Sequence, residues 1–107
     1  MKFSAEQINQ SIAGFTDVVQ LQLEVDPSSG KYELTLALAD AQGKEVVLKC
    51  KDVSNLGLSE VGGGLIQFLS LRAQDVRARQ LDRVFFHFAD VERGAILFDC
   101  AEASVGD

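Results

Sequence analysis

Histidine is almost missing from this chain: His87 is the only one in 107 residues. A single imidazole excludes any site that needs two, so zinc held by paired histidines is out, and nucleophilic triads are limited to arrangements around that one ring. Cysteine is nearly as scarce. Cys50 and Cys100 are too few for a disulfide framework and lack the close spacing of a metal site, which predicts buried free thiols in a reducing compartment. No apolar run approaches the roughly 20 residues of a membrane-spanning helix. Met1-Lys2-Phe3-Ser4-Ala5-Glu6 turns polar at once, without a signal-peptide core, so a cytoplasmic location with no membrane partner is the expectation. Positive charge is also in deficit: ten Lys and Arg stand against sixteen Asp and Glu, a net charge of −6. That field repels phosphate backbones and argues against nucleic acid as a partner, while it favours solubility and speeds encounter with a basic protein.

What is present is a near-average globular mixture, 47% apolar and 24% charged, which argues against disorder or a fibrous repeat. A chain of this length buries roughly two-thirds of its unfolded surface and folds without staples, so residues 1–107 are expected to form one domain.

The first segment carries a helix start. Ser4 is placed to cap, Gln7 to bond back, and Phe3 with Ile8 to form a hydrophobic staple; Ile8, Ile12 and Phe15 make one apolar stripe and Gly14 offers an end. From Asp17 the period changes to two. Val19, Leu21, Leu23 and Val25 alternate with polar residues, Asp26-Pro27-Ser28-Ser29-Gly30 supplies a turn, and Tyr32, Leu34, Leu36 and Leu38 alternate again. After a turn at Asp40–Gly43, Val46, Leu48 and Cys50 mark a third strand, so an antiparallel meander is predicted. Lys51 to Gly64 reads as an irregular crossing connection, Leu65 to Ala73 as a buried strand, and Gln74 to Arg83 as a solvated strand end and loop. In the last hairpin Val84, Phe86 and Phe88 share one face, and Ile96, Phe98 and Cys100 share the facing one, with a turn over Asp90–Gly94. The expected architecture is α+β, a helix packed on a meander-like antiparallel sheet of about six strands. The outer hairpin face, with Phe85, His87, Ala89, Leu97, Asp99 and Ala101, is less polar than solvent usually demands. A cover is expected there, the N-terminal helix ahead of a partner protein.

Reactive chemistry is sparse. Cys50 or Cys100 with His87 would make a nucleophile and base, but both cysteines have core-facing parity and His87 the opposite. Gly62-Gly63-Gly64-Leu65 lacks the Gly-Lys-Ser/Thr ending of a phosphate loop, and reads as a place where the backbone turns tightly. Asp90, Glu92, Asp99 and Glu102 gather carboxylates near one hairpin, yet their spacing matches no calcium loop. No catalytic residue, metal or cofactor is therefore expected. Arg72, Arg77, Arg79 and Arg83 concentrate positive charge in an acidic chain, a candidate partner surface unless Asp75 and Asp82 absorb them in surface ion pairs.

Gly62-Gly63-Gly64-Leu65-x-Gln67, Asp75-Val76, Arg79-Gln80-Leu81-Asp82-Arg83-Val84, Asp90-Val91-Glu92 and Ile96-x-Phe98-x-Cys100 together resemble a group of small bacterial immunity proteins of polymorphic or contact-dependent toxin systems. The resemblance covers about a third of the chain. It implies a cytoplasmic domain without catalytic residues that binds and neutralises a cognate toxin domain by occlusion, and it supplies no catalytic motif to carry over. Under that expectation the partner-binding residues are Tyr32, Arg77, Arg79, Phe85, His87, Asp90 and Glu92. Two other classes stand beside it: a self-associating structural or adaptor module using a strand edge or the Phe85 and Leu97 face, and an enzyme built on His87 with a thiol or carboxylate.

Overall fold

The computed structural model describes residues 3–59, 71–79, 84–92 and 94–106. Its N-terminal helix forms as the local signals dictate. In α1 (Ala5–Ile12) the Ser4 hydroxyl accepts from the Gln7 amide at 3.1 Å and the Gln7 side chain accepts from the Ser4 amide at 2.9 Å, so two otherwise orphaned donors are satisfied reciprocally. Ile8 and Ile12 are buried, and Phe3 and Phe15 pack against the same core.

Among the described residues eight strands follow: β1 (Asp17–Asp26), β2 (Lys31–Ala39), β3 (Glu45–Lys51), β4 (Ser54–Leu58), β5 (Leu71–Asp75), β6 (Phe86–Asp90), β7 (Ile96–Cys100) and β8 (Glu102–Gly106), with a 3₁₀ turn at Arg77–Arg79. They form two antiparallel four-stranded sheets, ordered β1-β2-β3-β8 and β4-β7-β6-β5. The α+β class holds, but the single sheet of about six strands is corrected to a two-sheet packing. The extra strands come from two bends. β3 is followed by Asp52, whose backbone takes a left-handed φ of 57°, and β4 then pairs in the other sheet. β7 likewise passes through Ala101 into β8 and back to the first sheet. The two corners are tied together where the Ala101 amide donates to the Lys51 carbonyl at 3.0 Å. Asp tolerates the left-handed region better than most side chains, so the bend falls where the sequence allows it.

Both added strands were invisible to periodicity. β4 lies in the stretch expected to be an irregular connection, and β8 (Glu-Ala-Ser-Val-Gly) is short and built of small residues. Of the expected strand over residues 65–73, Leu71–Ala73 belong to β5; its earlier part, together with Gly62–Gly64, Asp82 and Arg83, lies outside the described residues. The β1 stripe is also revised. A bulge between Val18 and Gln20 shifts the register, so Val18 turns inward and Val19 is exposed.

The core lies between the sheets. Leu34, Leu36 and Leu38 of β2 and Val46, Leu48 and Cys50 of β3 face Phe86 and Phe88 of β6 and Ile96, Phe98 and Cys100 of β7. Phe88 and Phe98 are cross-strand partners with ring centroids 4.9 Å apart and planes 6° from parallel. Helix α1 packs against β5 and β8, the last strand of each sheet. Its stripe therefore closes the gap between two sheet edges and does not cover the outer hairpin face, a correction to the expected position. The reason is the size of the apolar stripe: Ile8 and Ile12 gain full burial only where they reach the space between the sheets. Asn9, on the same helix, clamps the edge strand. Its Nδ2 donates to the Ala73 carbonyl at 3.0 Å and its Oδ1 accepts from the Ala73 amide at 2.7 Å, on the side where, among the described residues, no strand pairs with β5.

Candidate interaction groove

The seven residues expected to meet a partner separate into distinct places. Asp90 is removed from the set: it is 2% exposed, and its carboxylate accepts from the amides of Glu92 at 3.3 Å and Ala95 at 3.4 Å. It is a turn former, the buried carboxylate that closes the β6–β7 hairpin while its carbonyl accepts from Gly94. Glu92 sits exposed in that turn. Arg79 ends the 3₁₀ turn, and its side chain lies outside the described residues.

His87 is on the outer face of the second sheet. Its Nδ1 lies 2.7 Å from Asp99 Oδ1, and Asn55 Nδ2 donates to Asp99 Oδ2 at 3.0 Å. An ionised carboxylate is an acceptor only, so this contact places a ring proton on Nδ1. A carboxylate-oriented imidazole is two-thirds of a nucleophilic triad. The thiols do not complete it: Cys50 and Cys100 are wholly buried on the core side of the sheets, while His87 points the other way. Burial, with Cys100 against it, pushes the Cys50 thiol well above its ordinary range, which keeps it protonated and unreactive. His87 also lies outside both of the cavities described next, so its pair with Asp99 stands on a sheet face. Asn55 carries the second left-handed φ among the non-glycine residues described, 55°, and that conformation belongs to the irregular start of β4 that brings its amide to Asp99.

The bend of the sheets sets Phe85 and Arg77 beside one cavity and Tyr32 beside another. One cavity, of about 500 Å³, is lined by Phe3, Phe85, Phe86, Arg77, Lys49 and Lys51 with residues of β8. A second, of about 380 Å³, is lined by Tyr32, Val25, Glu24, Asp26 and Glu33 among others. The two share Lys51, Ala101 and Glu102, the corner where β3 and β7 leave their sheets, so they adjoin there as a bent groove. Its ends differ in sign. Lys49 and Arg77 stand at the Phe85 end, Glu24, Asp26, Glu33 and Asp52 outnumber Lys31 at the Tyr32 end, and Lys51 and Glu102 share the corner between them. Arg77 is held in place by Asp75: its Nε donates to both carboxylate oxygens at 3.2 and 3.1 Å and a terminal nitrogen reaches Oδ2 at 2.6 Å. The same guanidinium holds the Asp75 carboxyl below the usual carboxylate range. Phe85 and Tyr32 are 41% and 45% exposed, enough for a partner to bury.

Lys49 and Lys51 carry no site signal in the sequence, and Phe3 only that of a helix-start staple, because they come from a strand's outward positions and from the residue before a cap, and only the bend places them beside the cavity of Phe85 and Arg77. The His87–Asp99 pair was legible in principle. A turn centred on residue 93 sets antiparallel partners whose numbers pair Phe88 with Phe98 and His87 with Asp99.

Among the described residues no three His, Cys, Asp or Glu side chains converge as a metal-ligand set, and no helix is long and apolar enough to cross a membrane. No protein-family model, curated protein or solved structure matches the chain.

Proposed function

We propose that this chain is a recognition domain that binds and neutralises a cognate bacterial toxin domain by occlusion, with the contact running along the bent groove. The observation that carries the proposal is that Phe85 and Arg77 line one cavity and Tyr32 the adjoining one, from three separate segments, with a half-exposed aromatic in each. Aromatic and arginine side chains in a concave, partly desolvated setting are the usual energetic centres of protein interfaces. The pre-set Asp75–Arg77 fork lowers the ordering cost of docking. The opposite charge at the two ends of the groove fixes the orientation of a partner, and the overall charge of −6 speeds approach of a basic one. A cytoplasmic site of action, and a partner that is protein and not nucleic acid, belong to the same proposal.

The test is a search of the adjacent reading frames for a toxin domain, followed by co-expression of any such domain with this chain. Protection of the cell and co-purification of the pair are expected. Phe85→Ala and Arg77→Ala should each weaken the complex about tenfold or more, the loss for a central interface anchor, while His87→Ala, outside the groove, leaves it intact. Protection without a complex, or a complex that both groove variants leave unchanged, refutes this assignment. Loss of protection with His87→Ala alone turns the reading toward an enzyme.

A further inference from the structure

The edges of the two sheets are treated unequally. β4, β5 and β8 are five residues long; β5 is clamped by Asn9, and β4 carries a register shift and the left-handed Asn55. β1 is ten residues long, ends the first sheet, and among the described residues no strand pairs with its outer edge. Its sequence, DVVQLQLEVD, contains no Pro and no basic residue, and its charges are the acids Asp17, Glu24 and Asp26; Pro and Lys are the usual guards of an exposed edge. Its one irregularity, the bulge at Val19, leaves Gln20–Asp26 as a regular ladder against β2. On the inward-facing side of that stretch, Leu23, Val25 and the cross-strand Tyr32 are 44%, 50% and 45% exposed, so a strip continuous with the core stands uncovered.

We infer that β1 is a self-pairing edge, and that a second copy of this chain adds antiparallel to it to join the two first sheets into one of eight strands. The seven regular residues are complementary to themselves about Leu23. In that register Leu23 meets Leu23, Leu21 meets Val25, Gln22 meets Glu24 and Gln20 meets Asp26. Apolar side chains fall on the face shared with the core. On the other face each acid lies opposite a glutamine, whose amide donates, and no acid meets an acid. The same acids would stand against an acidic strand from another protein, and it is this matching that selects a second copy. A seven-residue ladder spans about 24 Å and buries less than the roughly 800 Å² per partner of a standard interface, so the dimer forms in the micromolar range and its population follows concentration.

Sedimentation of the full chain across low to high micromolar concentration reads the outcome. The mass should rise from 11.6 kDa toward twice that value, with slowed amide exchange confined to Gln20–Asp26. Leu23→Lys places two ammonium groups face to face and should raise the dissociation constant at least tenfold. Gln22→Lys, exposed on the other face, meets Glu24 of the second copy and should lower it. Leu97→Lys, on the outer face of the second sheet, should change nothing. Equal unfolding midpoints for the variants show that the fold is retained. A monomer at every concentration overturns the inference, as does a dimer that Leu97→Lys abolishes or that both β1 variants leave unaltered. Glu24, Val25, Asp26 and Tyr32 also line the Tyr32 end of the groove, so Phe85→Ala and Arg77→Ala, at its other end, separate the two readings: they should leave the self-association unchanged.

Discussion

Asn9 offers the sharpest test of how the helix is joined to the sheets. Its carboxamide makes two hydrogen bonds to the backbone of Ala73, at 3.0 and 2.7 Å, across 64 residues of sequence. Asn9→Ala removes both and leaves a partly buried N–H and C=O on an edge strand. Each neutral bond contributes about 1 kcal/mol net, and an orphaned backbone group costs about 1–3 kcal/mol when water cannot replace the partner. The site is only partly buried, so water takes up some of the loss and the lower end applies. Alanine also returns about 0.5 kcal/mol through its better helix propensity. The net expectation is a loss of about 2 kcal/mol, or a midpoint fall of roughly 8–15 °C for a domain of this size. Thermal unfolding followed by far-UV circular dichroism measures it, and amide exchange at Ala73 should quicken. Asn9→Asp keeps the acceptor for the Ala73 amide but sets a carboxylate oxygen against the Ala73 carbonyl, so it should not rescue stability. A midpoint lowered by less than about 2 °C, too small for the loss of even one such bond, with unchanged exchange at Ala73, would refute the clamp.

Phe98→Ala should lose about 3–5 kcal/mol by emptying a fully buried site, with about 1 kcal/mol more from the ring pair with Phe88. Against a total of about 5–15 kcal/mol that brings the chain near its unfolding threshold; a denaturant midpoint equal to that of the parent would contradict the packing. The Cys50 thiol is raised by burial and by Cys100, so the folded chain stays protonated where the unfolded thiol, near its usual 8.5, ionises. The stability this contributes is complete below that pH and declines above it, by about 1.4 kcal/mol per pH unit. Alkaline unfolding curves of Cys50→Ala should have a shallower slope, and iodoacetamide should label Cys50 in the parent only on unfolding.

The capping box and both early hairpin turns were legible because their causes are local. Ser4 and Gln7 satisfy each other within one helical turn. The Asp26 carboxylate accepts from Ser28 at 2.9 Å, and Gly30 supplies a φ of 73°. The parity that put Leu34, Leu36, Leu38, Val46, Leu48, Phe86, Phe88, Ile96 and Phe98 inward also held, since a buried face fixes strand register. The inward parity of Val19 failed at a bulge, which periodicity does not reveal. Asp90 was misjudged for a related reason: an acidic residue in a turn reads as solvated, and only three-dimensional closure of the hairpin turned its carboxylate inward to the amides of Glu92 and Ala95.

The sequence by itself determined which residues are apolar at period two, where the chain turns, and that its thiols belong to the interior. These follow from nearest-neighbour sterics and from the alternation of side chains along a strand. The tertiary structure alone decided that β3 and β7 bend into a second sheet, that the helix plugs two sheet edges, and that Tyr32, Phe85 and Arg77 share a groove. Those outcomes depend on contacts between residues far apart in the chain, where the free energy gained by closing a common core selects one arrangement among several that the local pattern permits.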